Sequence, residues 1–224
     1  LGPLDELCRQ ESVTRFVALL AVFKTLIFRY TGQADIVVGT PTAGRVRSET
    51  EPLIGCFVNT VVLRTDLSGN PTFRELLSRA KDTATGAYAH QDLPQDVLIH
   101  ELQPQRSLSF GSLFQLLFAV RSVEDLVFQG PGLSCQTVDF DTGTTEMDLM
   151  LTIEEQGDQA NAVARYSTDL FDAAMMARML EHFQVLLEHA VATPDAPIAG
   201  LPLMAEHEWQ QSVVEWQQSV VEWN

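Results

Sequence analysis

The side chains of this 224-residue chain that could do acid–base or nucleophilic chemistry are few and scattered. The histidines are His90, His100, His182, His189 and His207. A general base must stand about 2.6–3.2 Å from the proton it takes and be held there by a partner. His90 is the best placed of them, in the stretch Ala89-His90-Gln91-Asp92-Leu93-Pro94. It sits at an expected helix end, where a charged imidazole would equally well favour the helix macrodipole. His182 and His189 lie beside Glu181 and Glu188, off the apolar stripe of a later helix, and read as solvated. His207 next to Glu208 carries no signal. His90, Asp92, Asp96 and His100 do not make the converging set of three or four ligands that zinc needs, so no metal is expected. There is no Gly-x-Ser-x-Gly elbow, no phosphate-cradling glycine loop and no cysteine near a histidine in sequence. Taken alone, the chain holds no complete catalytic set.

One polar residue is unusual for its setting. Asn59 lies in Ile54-Gly55-Cys56-Phe57-Val58-Asn59-Thr60-Val61-Val62-Leu63-Arg64, and by alternation shares a face with Phe57, Val61 and Leu63. An amide on an apolar strand face must be hydrogen-bonded, because leaving it unpaired costs about 1–3 kcal/mol. Either neighbouring backbone satisfies it, or it lines a channel and meets a substrate there.

The elements that must position these residues follow from periodicity. Ser12 to Gly32 reads as a buried helix, apolar nearly all round and stopped by Gly32. A short buried strand is expected over Asp35–Gly39 and a loop over Pro41–Pro52. Ile54–Arg64 is the next strand. Thr72 and Glu75 form a capping-box pattern ahead of a helix through Tyr88, and a shorter helix is expected over Pro94–Leu102. The period then changes to two, predicting strands at 113–121, 133–139, 147–155 and 161–168, with Met147, Leu149, Leu151 and Ile153 on one face. Asp172 then precedes a long helix with Met175, Met176, Met179, Leu180, Phe183, Leu186, Leu187 and Ala190 on one side. A Pro-rich tail follows from Thr193. The pattern implies an α/β (α+β) chain with a mixed β-sheet flanked by helices.

Composition narrows the function classes. Apolar residues make up 46% of the chain and charged ones 20%, enough for a core and unlike a disordered chain. The longest apolar run, Phe16 to Phe23, is far short of the roughly 20 residues of a membrane span. No leader is evident, and Cys8, Cys56 and Cys135 are too few and too far apart for a disulfide framework, so a cytoplasmic location is expected. The net charge is −16, and residues 139–224 hold 16 acidic side chains against 2 basic ones. That asymmetry argues against nucleic acid and against an acidic membrane surface. Residues 209–215 and 216–222 both read WQQSVVE. Two heptads are too few for a coiled coil, so this is read as a local duplication.

The stretch Asp35-Ile-Val-Val-Gly-Thr-Pro-Thr-Ala-Gly-Arg45, running into Leu53-Ile-Gly-Cys-Phe-Val-Asn-Thr60 and Arg64, resembles the fifth core motif of condensation domains of nonribosomal peptide synthetases. His90-Gln-Asp-Leu-Pro94 is similar to the sixth, and Arg106 through Leu113-Phe-Gln115 to the seventh. Asp148-Leu149 and Tyr166-Ser-Thr-Asp-Leu-Phe171 follow in the family's order, and Leu201-Pro-Leu-Met with a terminal Glu-Trp-Asn resembles the linker to an adenylation domain. The sequence departs from the family at Gln95 and Asp96, where an aromatic residue and Glu are usual. It departs again at Ser107 and Phe110 to Ser112 in the seventh motif, and at Glu146 and Met147.

The resemblance implies one lobe of a chloramphenicol acetyltransferase-like fold. The family's catalytic His-His-x-x-x-Asp-Gly belongs to the N-terminal lobe, and no histidine here is followed by another or has Asp four residues on. The chain therefore resembles the C-terminal lobe over 1–192, with 193–224 as a linker. The implied reaction joins a carrier-bound acyl or peptidyl thioester to the amine of a carrier-bound aminoacyl thioester, with no cofactor bound directly and both substrates on phosphopantetheine arms. Alone, the chain is expected to be inactive. The implied partners are the N-terminal lobe, upstream and downstream carrier domains and a following adenylation domain; an exposed lobe face would also allow a homodimer. Asn59 is the residue implied to line the substrate tunnel. Gly55, Phe57, Arg64, His90, Asp92, Pro94, Arg106 and Asp148 are implied structural motif positions. The alternative is a free-standing, non-catalytic lobe that docks carriers or another protein.

Overall fold

The computed structural model describes residues 1–102, 113–123, 128–130, 132–135, 143–145, 147–205 and 208–210. In chain order the helices are α1 (Gly2–Glu11), α2 (Arg15–Thr31), α3 (Phe73–Ala89), α4 (Gln95–Leu102) and α5 (Ala173–Ala192). The strands are β1 (Asp35–Thr42), β2 (Asn59–Asp66), β3 (Leu116–Ser122), β4 (Phe128–Gly130), β5 (Leu133–Cys135), β6 (Leu149–Gln156) and β7 (Gln159–Tyr166). The chain divides into two compact units. One contains Leu1, Val37–Arg64 and Asp82–Asp172; the other contains Gly2–Ile36, Thr65–Lys81 and Ala173–Asn224.

The second unit is mainly helical. The sequence pattern does not imply α1, which is short and buries only Leu4, Leu7 and Cys8. Ser12 does not begin the next helix. It takes φ 52°, turning the chain out of α1, while Ser12 N–H and Val13 N–H bond back to the carbonyls of Arg9 and Cys8. Helix α2 starts instead at Thr14, whose hydroxyl accepts from Val17 N–H. Gly32 ends it in the left-handed region at φ 70°, donating its N–H to the Phe28 carbonyl. Because α2 is apolar nearly all round, everything from Val17 to Ile27 is buried, Lys24 and Thr25 included. Thr25 bonds to the Ala21 carbonyl, and Lys24 Nζ donates to Thr65 Oγ1 at 2.6 Å.

Helix α5 buries Met176, Met179, Phe183, Leu186 and Ala190, as its pattern implies, and also His182. His182 is 4% exposed, which corrects the expectation that it is solvated. Its Nδ1 lies 2.6 Å from the Tyr30 hydroxyl and its Nε2 lies 3.0 Å from both carboxylate oxygens of Glu208. Both ring nitrogens therefore have partners, which makes the burial tolerable. His189 is exposed. The segment after α5 is also tied down over its first residues. Arg74 N–H and Phe73 N–H donate to Pro194 and Ala196, Ile198 N–H donates to Pro71, and Arg29 Nη1 donates to the Leu201 carbonyl at 2.6 Å. Ile198 and Leu201 are buried. The expected capping box is present, with Thr72 N–H donating to Glu75 and Glu75 N–H to Thr72 Oγ1.

The main sheet is five-stranded, in the order β2-β1-β3-β6-β7, and β4 with β5 forms a separate two-stranded ribbon. β3 runs parallel to both β1 and β6, and β6 pairs antiparallel with β7, so the sheet is mixed as expected. Leu149, Leu151 and Ile153 are buried on the face their alternation implies. Gly39 pairs with Leu117, and a β-carbon there would stand 2.2 Å from the Phe114 ring, so glycine lets that ring close over the strand. The strand expected over 133–139 is described only as far as Cys135. Arg106, Glu146, His207 and the duplicated heptads from residue 211 also lie outside the described residues. Among the described residues no helix is long and apolar enough to cross a membrane.

Burial in α2 holds Lys24 to a pKa of about 7, with Asp35 offsetting only part of the effect. The ammonium form is penalised in the folded state, so the unfolded chain binds more protons between pH 7 and the free-lysine value of 10.5. Stability contributed through Lys24 therefore rises with pH across that window and falls as pH drops towards 7. Lys24→Met is expected to remove this slope and to stabilise the chain at pH 7 by roughly 1–3 kcal/mol. Urea melts of both proteins at pH 7 and pH 10 measure the difference, and parallel pH dependence would refute it.

Candidate functional site

Asn59 is the first residue of β2, not a mid-strand position: residues 54–58 form no strand. Residues 54–58 pair with no strand, and Leu53, Ile54 and Val58 are left exposed. The amide of Asn59 is half-buried and reaches across to the turn between α3 and α4. Its Nδ2 donates to the carbonyls of Gln91 and Leu93, at 2.8 Å each, and its Oδ1 accepts from Gln95 N–H at 3.4 Å. The carbonyl of Asn59 in turn accepts from the Thr42 hydroxyl at 3.3 Å.

Of the two readings open for this amide, backbone satisfaction describes its donors in full. A carboxamide has two N–H donors and two acceptor lone pairs. Both donors are committed and one acceptor position is used, which leaves one lone pair on Oδ1.

The turn that Asn59 holds is the stretch His90–Pro94. Leu93 N–H bonds to the His90 carbonyl, and Pro94 supplies the carbonyl that accepts from Val97 and Leu98 at the start of α4. The side chains of His90, Asp92 and Pro94 are exposed. Gly55 and Phe57 belong to the loop before β2. Arg64 is exposed on β2, and its carbonyl accepts from Thr83 Oγ1 at 3.2 Å. Asp148 precedes β6 and accepts Ser167 N–H on its carbonyl. The structure thus brings Asn59 together with the His90–Pro94 turn.

A residue to which the sequence pattern assigns no role organises the loop before Asn59. Arg45 Nη2 donates to the Gly55 carbonyl at 3.0 Å, Nη1 donates to the Thr50 carbonyl, and the guanidinium lies 4.5 Å from the centre of the Phe57 ring. The sequence places Arg45 at the end of the stretch that resembles the fifth motif, but gives it no role, and on composition alone it reads as a surface charge.

Residues 3–213 match the Condensation domain family, so the chain belongs to that family. It is 48% identical over 214 residues to one of the linear gramicidin synthase subunits of Brevibacillus parabrevis, covering 94% of this chain and 3% of that protein. Its fold is that of a crystal structure of holo-AB3403, a four-domain nonribosomal peptide synthetase, with TM-score 0.83 and 22% identity over 92% of this chain and 17% of that one. It also resembles the X-domain from teicoplanin biosynthesis, which has been solved in complex with OxyB as well. There the TM-score is 0.79 and the identity 27%, over 91% of this chain and 48% of that one. The chain thus spans a small part of the curated relative and about half of the X-domain chain.

Removing the Asn59 amide leaves the turn carbonyls to water. Asn59→Ala is expected to cost about 1–2 kcal/mol and to raise amide exchange at Gln95. Asn59→Asp should be the worse substitution, because it sets a carboxylate against two carbonyl oxygens. Thermal melts of the two variants decide this, and an Asp variant as stable as wild type would contradict the hydrogen-bond assignment.

Proposed function

We propose that this chain is the C-terminal lobe of a condensation domain in a nonribosomal peptide synthetase. In this reading the amine of a carrier-bound aminoacyl group attacks the thioester carbonyl of a carrier-bound acyl or peptidyl donor. The C–N bond forms, the C–S bond breaks, and the thiol of the phosphopantetheine arm leaves while the amine loses a proton. The base motif, His-His-x-x-x-Asp-Gly, would come from an N-terminal lobe, and this chain alone would be inactive. The observation that carries the reading is the family match over 3–213 in a chain that spans about half of a solved relative of the same fold.

Within this reading Asn59 lines the tunnel in a limited way. Both its donors are spent on the 91–93 backbone, so what it can offer a substrate is the remaining lone pair on Oδ1. That atom suits the N–H of the incoming amine. The apolar side chains of Val46, Leu53, Ile54 and Val58 are each more than half exposed, a density that favours a covering partner. The N-terminal lobe is the partner proposed. Carrier domains would deliver both substrates, and residues 193–224 would lead to an adenylation domain.

A second reading, a non-catalytic docking module, is favoured by the likeness to the X-domain, which forms a complex with OxyB. Mixing separates the two. Purified chain, a separately produced N-terminal lobe and two loaded carrier domains should give the amide product by mass spectrometry only when all are present. Stable assembly with no product would turn the assignment to the docking module. In the active mixture, Asn59→Ala should lower turnover on the order of tenfold through lost positioning; unchanged turnover would remove Asn59 from the tunnel.

A further inference from the structure

We propose that Arg45 is a positioning residue for this reaction and acts through Asn59; the inference rests on the condensation reading above. Residues 43–58 cross from the end of β1 to the start of β2 with no strand pairing between Leu53 and Val58. Residues 47–53 bond among themselves, with the N–H groups of Thr50, Glu51 and Leu53 donating to the carbonyls of Arg47, Ser48 and Thr50. Arg45 joins that piece to Gly55 and Phe57. Its planar fork meets the Thr50 and Gly55 carbonyls, with the Glu51 carbonyl at 3.4 Å, and its face covers Phe57.

Gly44 also lets the chain approach the Phe57 backbone closely. Gly44 has φ +64°, and a β-carbon on it would stand 1.7 Å from the Phe57 carbonyl oxygen. The chain is therefore gripped at Gly55 and at Phe57, two residues ahead of Asn59, and then at Asn59 by the Thr42 hydroxyl. These grips set where the Asn59 amide begins its reach to Gln91, Leu93 and Gln95. Losing the Arg45 grip frees the residues that enter Asn59, and with them the direction of its Oδ1.

Lysine cannot replace this arginine. An ammonium has three donors, but all on one nitrogen, so it cannot meet the Thr50 and Gly55 carbonyls from two separated nitrogens while its charged plane covers the Phe57 ring. Arg45→Lys keeps the charge and removes the fork, so it tests the geometry without altering electrostatics, and it serves where Arg45→Ala fails to fold.

The test has two independent arms. The first is amide hydrogen exchange on this chain. Arg45→Lys should speed exchange over 46–58 and at the Gln95 amide on the order of tenfold, about the loss of one net hydrogen bond, with exchange in α2 and β6 unchanged. Faster exchange in the loop with Gln95 unmoved would overturn the inference. The second arm is a double-mutant cycle in kcat/KM with the assembled two-lobed domain. Arg45→Lys in an Asn59→Ala background should cost less than about twofold, although Arg45→Lys alone costs several-fold. Independent, multiplying effects are what a general loss of stability gives, and they would overturn the inference. An inactive wild-type assembly would overturn the condensation reading instead and leave the exchange arm to decide whether Arg45 braces Asn59.

Discussion

Asn59 spends both of its donors on the backbone of a turn more than thirty residues away, and the local geometry of the candidate site depends on that contact. A side-chain amide is well suited to the task. It donates in two directions from one nitrogen and accepts on the adjacent oxygen, so a single residue can replace the hydrogen bonds that a further strand would have made. The turn it holds carries α4, whose residues are none of them buried. The amide is one of the contacts that fix where α4 begins.

The same rule governs the helical unit, with different outcomes. Taking a polar group out of water costs several kcal/mol unless its bonds are remade inside. Lys24 bonds to Thr65, and its burial is also met by a lowered pKa. His182 has partners on both nitrogens, Tyr30 on one and Glu208 on the other. A ring proton on Nε2 donated to Glu208 leaves Nδ1 to accept from the Tyr30 hydroxyl. Burial, reinforced by Glu208, raises the Tyr30 pKa and keeps that hydroxyl a donor. Lys24 thus titrates near neutrality inside this unit, while His182 of α5 joins Tyr30 of α2 to Glu208.

Much of the fold is legible in the sequence because its signals are local. The box of Thr72 and Glu75, the stop at Gly32 and the period-two run Leu149, Leu151 and Ile153 each need only a few neighbouring residues to be read. What the pattern misses is set by contacts distant in sequence or by neighbouring elements. Ser12 and Thr14 are both good caps, and the choice between them turns on a left-handed residue closing α1. β2 begins five residues later than its apolar run, because Ile54 to Val58 pair with no strand. The pattern of α5 puts His182 on the polar side of the helix, whereas Tyr30 and Glu208 make that side an interior. For Asn59, alternation flags an amide in need of partners; only the structure identifies them as Gln91, Leu93 and Gln95.

None of the residues that set the Asn59 amide, Arg45, Gln91, Leu93 and Gln95, is a nucleophile, which is consistent with the proposed chemistry. Aminolysis of a thioester is downhill, so a lobe that contributes to it has to hold two tethered groups in line and keep the amine neutral at the point of attack. A cation near the amine would disfavour its transient positive charge, and a carboxylate would hold it protonated. An amide oxygen does neither. In the proposed reading, Asn59 Oδ1 would accept the amine N–H without changing the charge of the site. The orientation of that oxygen is then the quantity the surrounding loop must control. This gives a physical reason for arginine, with its rigid fork, on the inside of residues 45–57.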